Sequence, residues 1–110
     1  MTTPSPRRVV HNTTFHVDEA VETAWLAALL DEVVPAVTLA APLARSLFTR
    51  VRVGDDACRA YSLQLLFDDD DACRRLALET MGEWLDALSR RFPGGFHHFC
   101  STLEEVRRER

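Results

Sequence analysis

The sequence predicts an α+β fold in which two helices cover one face of a four-stranded antiparallel sheet. Three observations carry this expectation. Segments rich in β-branched and aromatic residues, with parity alternation, occur at 8–17, 47–53, 60–67 and 96–103. Two apolar stripes at helical spacing fall between the first and second and between the third and fourth of these segments. Glycine, proline and aspartate cluster at the joins.

Taken in order, "MTTPSPR" at 1–7 holds two prolines and small polar residues and reads as a disordered tail. In "RVVHNTTFHV" Val9, Thr13, Phe15 and Val17 share one parity, as does His11, so the first strand turns these residues to a core. Asp18 can cap a following helix, and Glu19 and Glu22 place negative charge at its positive end. Val21, Ala24, Trp25, Ala28, Leu29 and Val33 form its apolar stripe, and Pro35 is expected to end or kink it. "PAVTLAAPLARS" then reads as a short helical turn or packed loop. "LFTRVRV" is a half-buried strand with Leu47, Thr49, Val51 and Val53 on one face and Phe48, Arg50 and Arg52 on the other. "GDDACR" connects it to "AYSLQLLF", whose Tyr61, Leu63, Leu65 and Phe67 share a face, and the two strands should form an antiparallel hairpin.

The acidic run at 68–71 could suggest a metal site, but it lies where the second helix must begin, and carboxylates there cap amides and complement the helix dipole. Arg90 and Arg91 suit the opposite end. Between them Cys73, Leu76, Ala77, Thr80, Met81, Trp84, Leu85 and Leu88 trace one stripe, with Trp84, like Trp25, read as a core anchor. "PGG" stops the helix, "FHHFCSTL" forms the last strand, and 107–110 is a charged tail after a single domain over 8–106.

Strand, helix, strand, strand, helix, strand is the order of two split β-α-β units, the ferredoxin-like sandwich. That fold leaves one sheet face open, where Phe48, Leu66 and either Phe96 or Phe99 would meet water. A homodimer packed sheet against sheet, resembling a dimeric α/β barrel, is the expected remedy.

Composition narrows the function. Hydrophobic residues at 46% and charged residues at 27% fit a globular chain. The net charge of −4 disfavours nucleic-acid binding, and no run approaches the roughly 20 apolar residues of a membrane span. Three cysteines without CxxC spacing suggest neither a disulfide framework nor a zinc ribbon, and the expected setting is a bacterial-type cytoplasm.

Between about Asn12 and Val106 the sequence resembles a family of short bacterial proteins known as domain of unknown function number 4286. "NTTFHVD" ahead of a helix with Trp25, "VVPAV", "SLFTRVRV", "YSLQLLF" with Gln64, and "RRFPGGFHHFCSTLEEV" carry the resemblance. It implies a ferredoxin-like fold and no particular reaction.

Candidate chemistry centres on the last strand. Adjacent strand residues face opposite ways, so His97 and His98 cannot grip one ligand together. His98 and Cys100 share a face, and pairing of the last strand with the first would bring His16 near them, giving a zinc- or copper-like donor set of His16, His98 and Cys100. The competing reading treats these as packed or solvated strand residues with no metal. A second constellation is a polar strip of Asn12, Thr14, His16, Arg50, Arg52, Ser62, Gln64 and His98 on the open face. Covered by a partner sheet, the strip becomes a dimer interface or the lining of a small-ligand pocket. The preferred reading is a non-enzymatic homodimer with no cofactor; the alternative is a cofactor-free oxygenase or isomerase with His16 or His98 as general base.

Other users of this fold fail on what is missing. "FHVDEAV" has no CxxC of a heavy-metal chaperone and no arginine cradle of an acylphosphatase, and the aromatics Phe15 and Tyr61 have core parity, unlike the exposed aromatics of RNA-recognition domains.

Overall fold

The computed structural model describes residues 8–52 and 58–106. The expected tails at 1–7 and 107–110, and the connection at 53–57 with Val53, lie outside the described residues. The sheet comprises β1 (Val9–Asp18), β2 (Arg45–Val51), β3 (Cys58–Phe67) and β4 (Phe96–Glu104) in the order β2-β3-β1-β4, every neighbour antiparallel. This is the expected ferredoxin-like arrangement, with β1 and β3 central and β2 and β4 at the edges.

Helix α1 (Glu19–Ala40) begins at Asp18, whose side chain accepts a hydrogen bond from the Ala20 amide at 2.9 Å. It continues past Pro35, the residue expected to end or kink it. A wider π turn over Leu29–Val33 precedes the proline, and the chain re-enters α-helical geometry over Val34–Ala40. Proline lacks an N–H and its ring crowds the preceding turn, so a local widening of the helix absorbs it without ending the element. Trp25, Ala28, Leu29, Val33 and Val37 form the buried stripe; Ala24, expected in it, is exposed. By length and a mean hydropathy of 1.4, α1 could cross a bilayer, but its stripe is occupied by this sheet.

Helix α2 (residues 70–91) starts where the aspartates stand. Asp69 accepts from the Asp71 amide at 3.1 Å and Asp70 pairs with Arg74 at 2.9 Å, so these carboxylates cap and brace the helix. A second π turn spans Leu76–Met81, and the helix ends over Gly82–Arg91, where Arg91 pairs with Glu32 of α1. Gly94 supplies the left-handed backbone (φ +70°) that turns the chain, and Gly95 sits so close to Val21 that a Cβ would clash at 2.9 Å. The Gly95 carbonyl accepts from the Asp18 amide at 2.9 Å, locking the end of β1 to the entry of β4.

The core lies between helices and sheet. Phe15, Val17, Trp25 and Leu29 are fully buried, and the Phe15 ring meets Trp25 edge-on at 5.0 Å. Each such side chain contributes roughly 1.5–3 kcal/mol through burial.

One edge strand faces the opposite way from expectation, and the other resolves a choice between its two faces. In β2, Phe48 lies opposite Leu63 and Arg50 opposite Tyr61, so these two face the helices while Leu47, Thr49 and Val51 lie on the open face. In β4, Phe96, His98 and Cys100 lie opposite Val17, Phe15 and Thr13 and share their helix-facing side; His97, Phe99, Ser101 and Leu103 face the open side. Cross-strand partners share a face, so the central strands determine both orientations.

Candidate functional site

These orientations rearrange the candidate residues. The proposed donor set of His16, His98 and Cys100 does not assemble: His16 is on the open face, opposite His97, while His98 and Cys100 are on the other face. The His98 ring lies 6.4 Å from Phe15 and 6.1 Å from Phe96, and Cys100 Sγ is 3.6 Å from Thr13 Oγ1. No group of three His, Cys, Asp or Glu side chains fit to hold a metal occurs among the described residues.

The polar strip loses Arg50 and His98 to the helix side, and Arg52 lies exposed beyond the end of β2. Asn12, Thr14, His16, Ser62 and Gln64 occupy the open face, where Thr49, His97 and Ser101 join them. Sequence reasoning missed Thr49 because β2 was read in the opposite parity, and missed His97 and Ser101 because the last strand's buried face was left open and only His98 was placed in the strip.

Asn12, on the central strand, organises the strip. Its Oδ1 accepts from Ser62 Oγ at 2.7 Å, and its Nδ2 donates to Thr14 Oγ1 at 3.1 Å and to Ser101 Oγ at 3.3 Å. Thr49 Oγ1 donates to the Ser62 carbonyl at 3.5 Å, extending the chain of contacts to β2. One carboxamide thereby links β3, β1 and β4. Around this network stand exposed apolar side chains: Leu47 (52% accessible), Val51 (39%), Phe99 (55%) and Leu103 (45%). The His16 ring stacks on Phe99, with centroids 6.3 Å apart and planes at 25°.

Beneath the sheet the polar groups are arranged differently. His11 is almost fully buried, its Nδ1 has no hydrogen-bond partner, and burial holds its pKa below the ordinary imidazole value. Trp25 Nε1 is likewise buried without a partner. At the far end of the sheet Tyr61 donates to Glu22 at 2.5 Å and accepts from Arg50 at 3.2 Å, while Arg59 approaches Glu22 at 3.6 Å. Burial, reinforced by the bond to Glu22, raises the Tyr61 pKa, so the phenol stays a neutral donor. Phe48 stacks on Tyr61 at 5.5 Å with planes 4° apart, and this ring pair closes the edge of the core.

A cleft of about 340 Å³ opens on the helix side, between the C-terminal end of α1 with its following turn and the first half of α2. Phe67, Ala72 and Leu76 line its apolar interior, and Arg75, Glu79 and Thr80 bring polar groups to it. None of the candidate histidines lines it. No sequence motif marks this cleft; only the small residues of "LAAPLA" facing a strand end hint at a gap.

The family model for "Domain of unknown function (DUF4286)" matches residues 8–106. The chain belongs to this family. No curated protein matches the sequence. Among solved structures, a dimeric ferredoxin-like protein from an uncultured marine organism superimposes with a TM-score of 0.67 at 11% identity, covering 94% of this chain and 99% of its own. A protein of unknown function from Nitrosomonas europaea gives 0.64 at 12% identity, with 96% of each chain covered. SnoaB, a cofactor-independent oxygenase from Streptomyces nogalater, gives 0.56 at 21% identity, with 94% of this chain and 96% of that one covered. These likenesses establish the shared ferredoxin-like α+β fold of this DUF4286 chain.

Proposed function

We propose that this DUF4286 chain is a cytoplasmic, non-enzymatic domain that homodimerises by packing its open sheet face against that of a second copy. The observation that carries this reading is the Asn12 network. Covering polar groups is unfavourable when they lose water without gaining partners. On this face the Asn12 carboxamide already has three partners on neighbouring side chains, so a second sheet can cover it without leaving it unsatisfied. The flanking Leu47, Val51, Phe99 and Leu103 supply apolar area whose removal from water contributes about 25 cal/mol per Å². The structural neighbour described as dimeric and ferredoxin-like supports a dimer as such.

A histidine-base oxygenase or isomerase finds less support. His16 is stacked against Phe99, His98 is on the opposite face, and neither lines the cleft. Light scattering at low micromolar concentration tests the proposal: twice the chain mass is expected, and a monomer would overturn it.

A further inference from the structure

We propose that the cleft between α1 and α2 is a binding site for a small apolar monoanion, a carboxylate with a hydrocarbon body, with Arg75 as the anion's partner. The site lies on the helix side of the sheet, with Phe67 in its lining, and is independent of the proposed dimer face.

Three features converge on it. At about 340 Å³ it falls within the range of small-molecule sites, and its interior is formed by Phe67, Ala72 and Leu76. Arg75 makes no hydrogen bond or ion pair within the described residues, in contrast to Arg74 beside it, which is held by Asp70. Its guanidinium is therefore available for a charge-assisted bond to a carboxylate, and the Thr80 hydroxyl adds a second donor in the same wall. Glu79, also in that wall, repels negative charge, so a ligand with one carboxylate fits the site better than a dianion.

The third feature is the backbone. The π turn of α1 has a cause in Pro35, but that of α2, "LALETM", contains neither proline nor glycine. Single π turns inside α-helices recur at functional sites, and this one contributes Leu76, Glu79 and Thr80 to the cleft.

The test is an NMR titration of the full chain with octanoate and, separately, with uncharged 1-octanol. Octanoate should shift the amides of Ala41, Leu43, Ala72 and Thr80 saturably, with octanol at least about tenfold weaker because it lacks the charged acceptor. Arg75→Gln, an exposed change that spares the core, should reduce octanoate to octanol's affinity, and Ala72→Leu should weaken both. Absence of saturable shifts, equal affinity for the two probes, shifts confined to the open face, or discrimination that survives Arg75→Gln would each overturn the proposal. A monomeric mass in light scattering would leave these outcomes unaffected, so failure of the dimer and failure of this site are separable.

Discussion

The two sides of β1 treat polar groups in opposite ways. Its helix-facing residues, Val9, His11, Thr13, Phe15 and Val17, are buried under α1 and α2, and the most polar of them, His11, is left with an unpartnered Nδ1. Its open-facing residues, Val10, Asn12, Thr14 and His16, are half-buried or exposed, yet Asn12 there has three hydrogen bonds. The side already removed from water tolerates orphan polar atoms, while the side facing water has its central polar group satisfied in advance. The helix face is stabilised by packing, and the open face carries a polar group that is already hydrogen-bonded.

Mutations on either side should separate these roles. Phe15→Ala, which empties a fully buried aromatic position between Trp25 and Phe96, should lower unfolding free energy by about 3–5 kcal/mol in urea titrations. Phe99→Ala, on the open face, should change it by less than about 1 kcal/mol when measured on the dissociated chain. Asn12→Ala should lower stability by about 1–2 kcal/mol, because Ser62 and Ser101 lose their shared partner in a half-buried strip.

His11 makes the contrast pH-dependent. Its folded pKa lies below the ordinary value of 6.5, so as pH falls through 6.5 the unfolded chain takes up a proton that the folded chain refuses. Stability contributed by neutral His11 is therefore complete above that pH and declines as pH drops from 6.5 toward the depressed folded value. Melting curves of His11→Leu should show a flatter dependence over that window, and an unchanged slope would contradict the assignment. The smallest effect belongs to neither face. Arg74→Ala, which breaks the exposed Asp70–Arg74 pair on α2, should shift stability by no more than about 0.5 kcal/mol, as read from denaturant midpoints.

The same contrast explains which parts of the molecule were legible in the sequence. Central strands β1 and β3 alternate between a covered and an open face, and Val9, Phe15, Tyr61, Leu63 and Phe67 sit where their parity places them. Edge strands β2 and β4 are largely exposed on both faces, so "LFTRVRV" and "FHHFCS" carry little parity signal of their own. Their orientation comes from pairing with the central strands, which turns Phe48 and His98 inward and Phe99 outward. That dependence removed the metal donor set and replaced Arg50, Arg52 and His98 in the polar strip with Thr49, His97 and Ser101. Helix α1 continues past Pro35, expected to end or kink it because a proline in an apolar run reads as a break, whereas a π turn absorbs it. The cleft was invisible because it is made where Ala40–Ala44, Phe67 and the middle of α2 meet, three segments with no shared motif.

Sedimentation velocity over a concentration series tests the central claim most directly, with three proteins compared: the wild-type chain, Leu47→Asp/Phe99→Asp on the open face, and Leu78→Asp as an equally conspicuous exposed leucine on α2. The account predicts a dimer for wild type and for Leu78→Asp, with the open-face double variant weakened at least tenfold in self-association while retaining its fold. A wild-type monomer at low micromolar concentration, or a dimer that ignores the open-face aspartates and dissociates with Leu78→Asp, would contradict it.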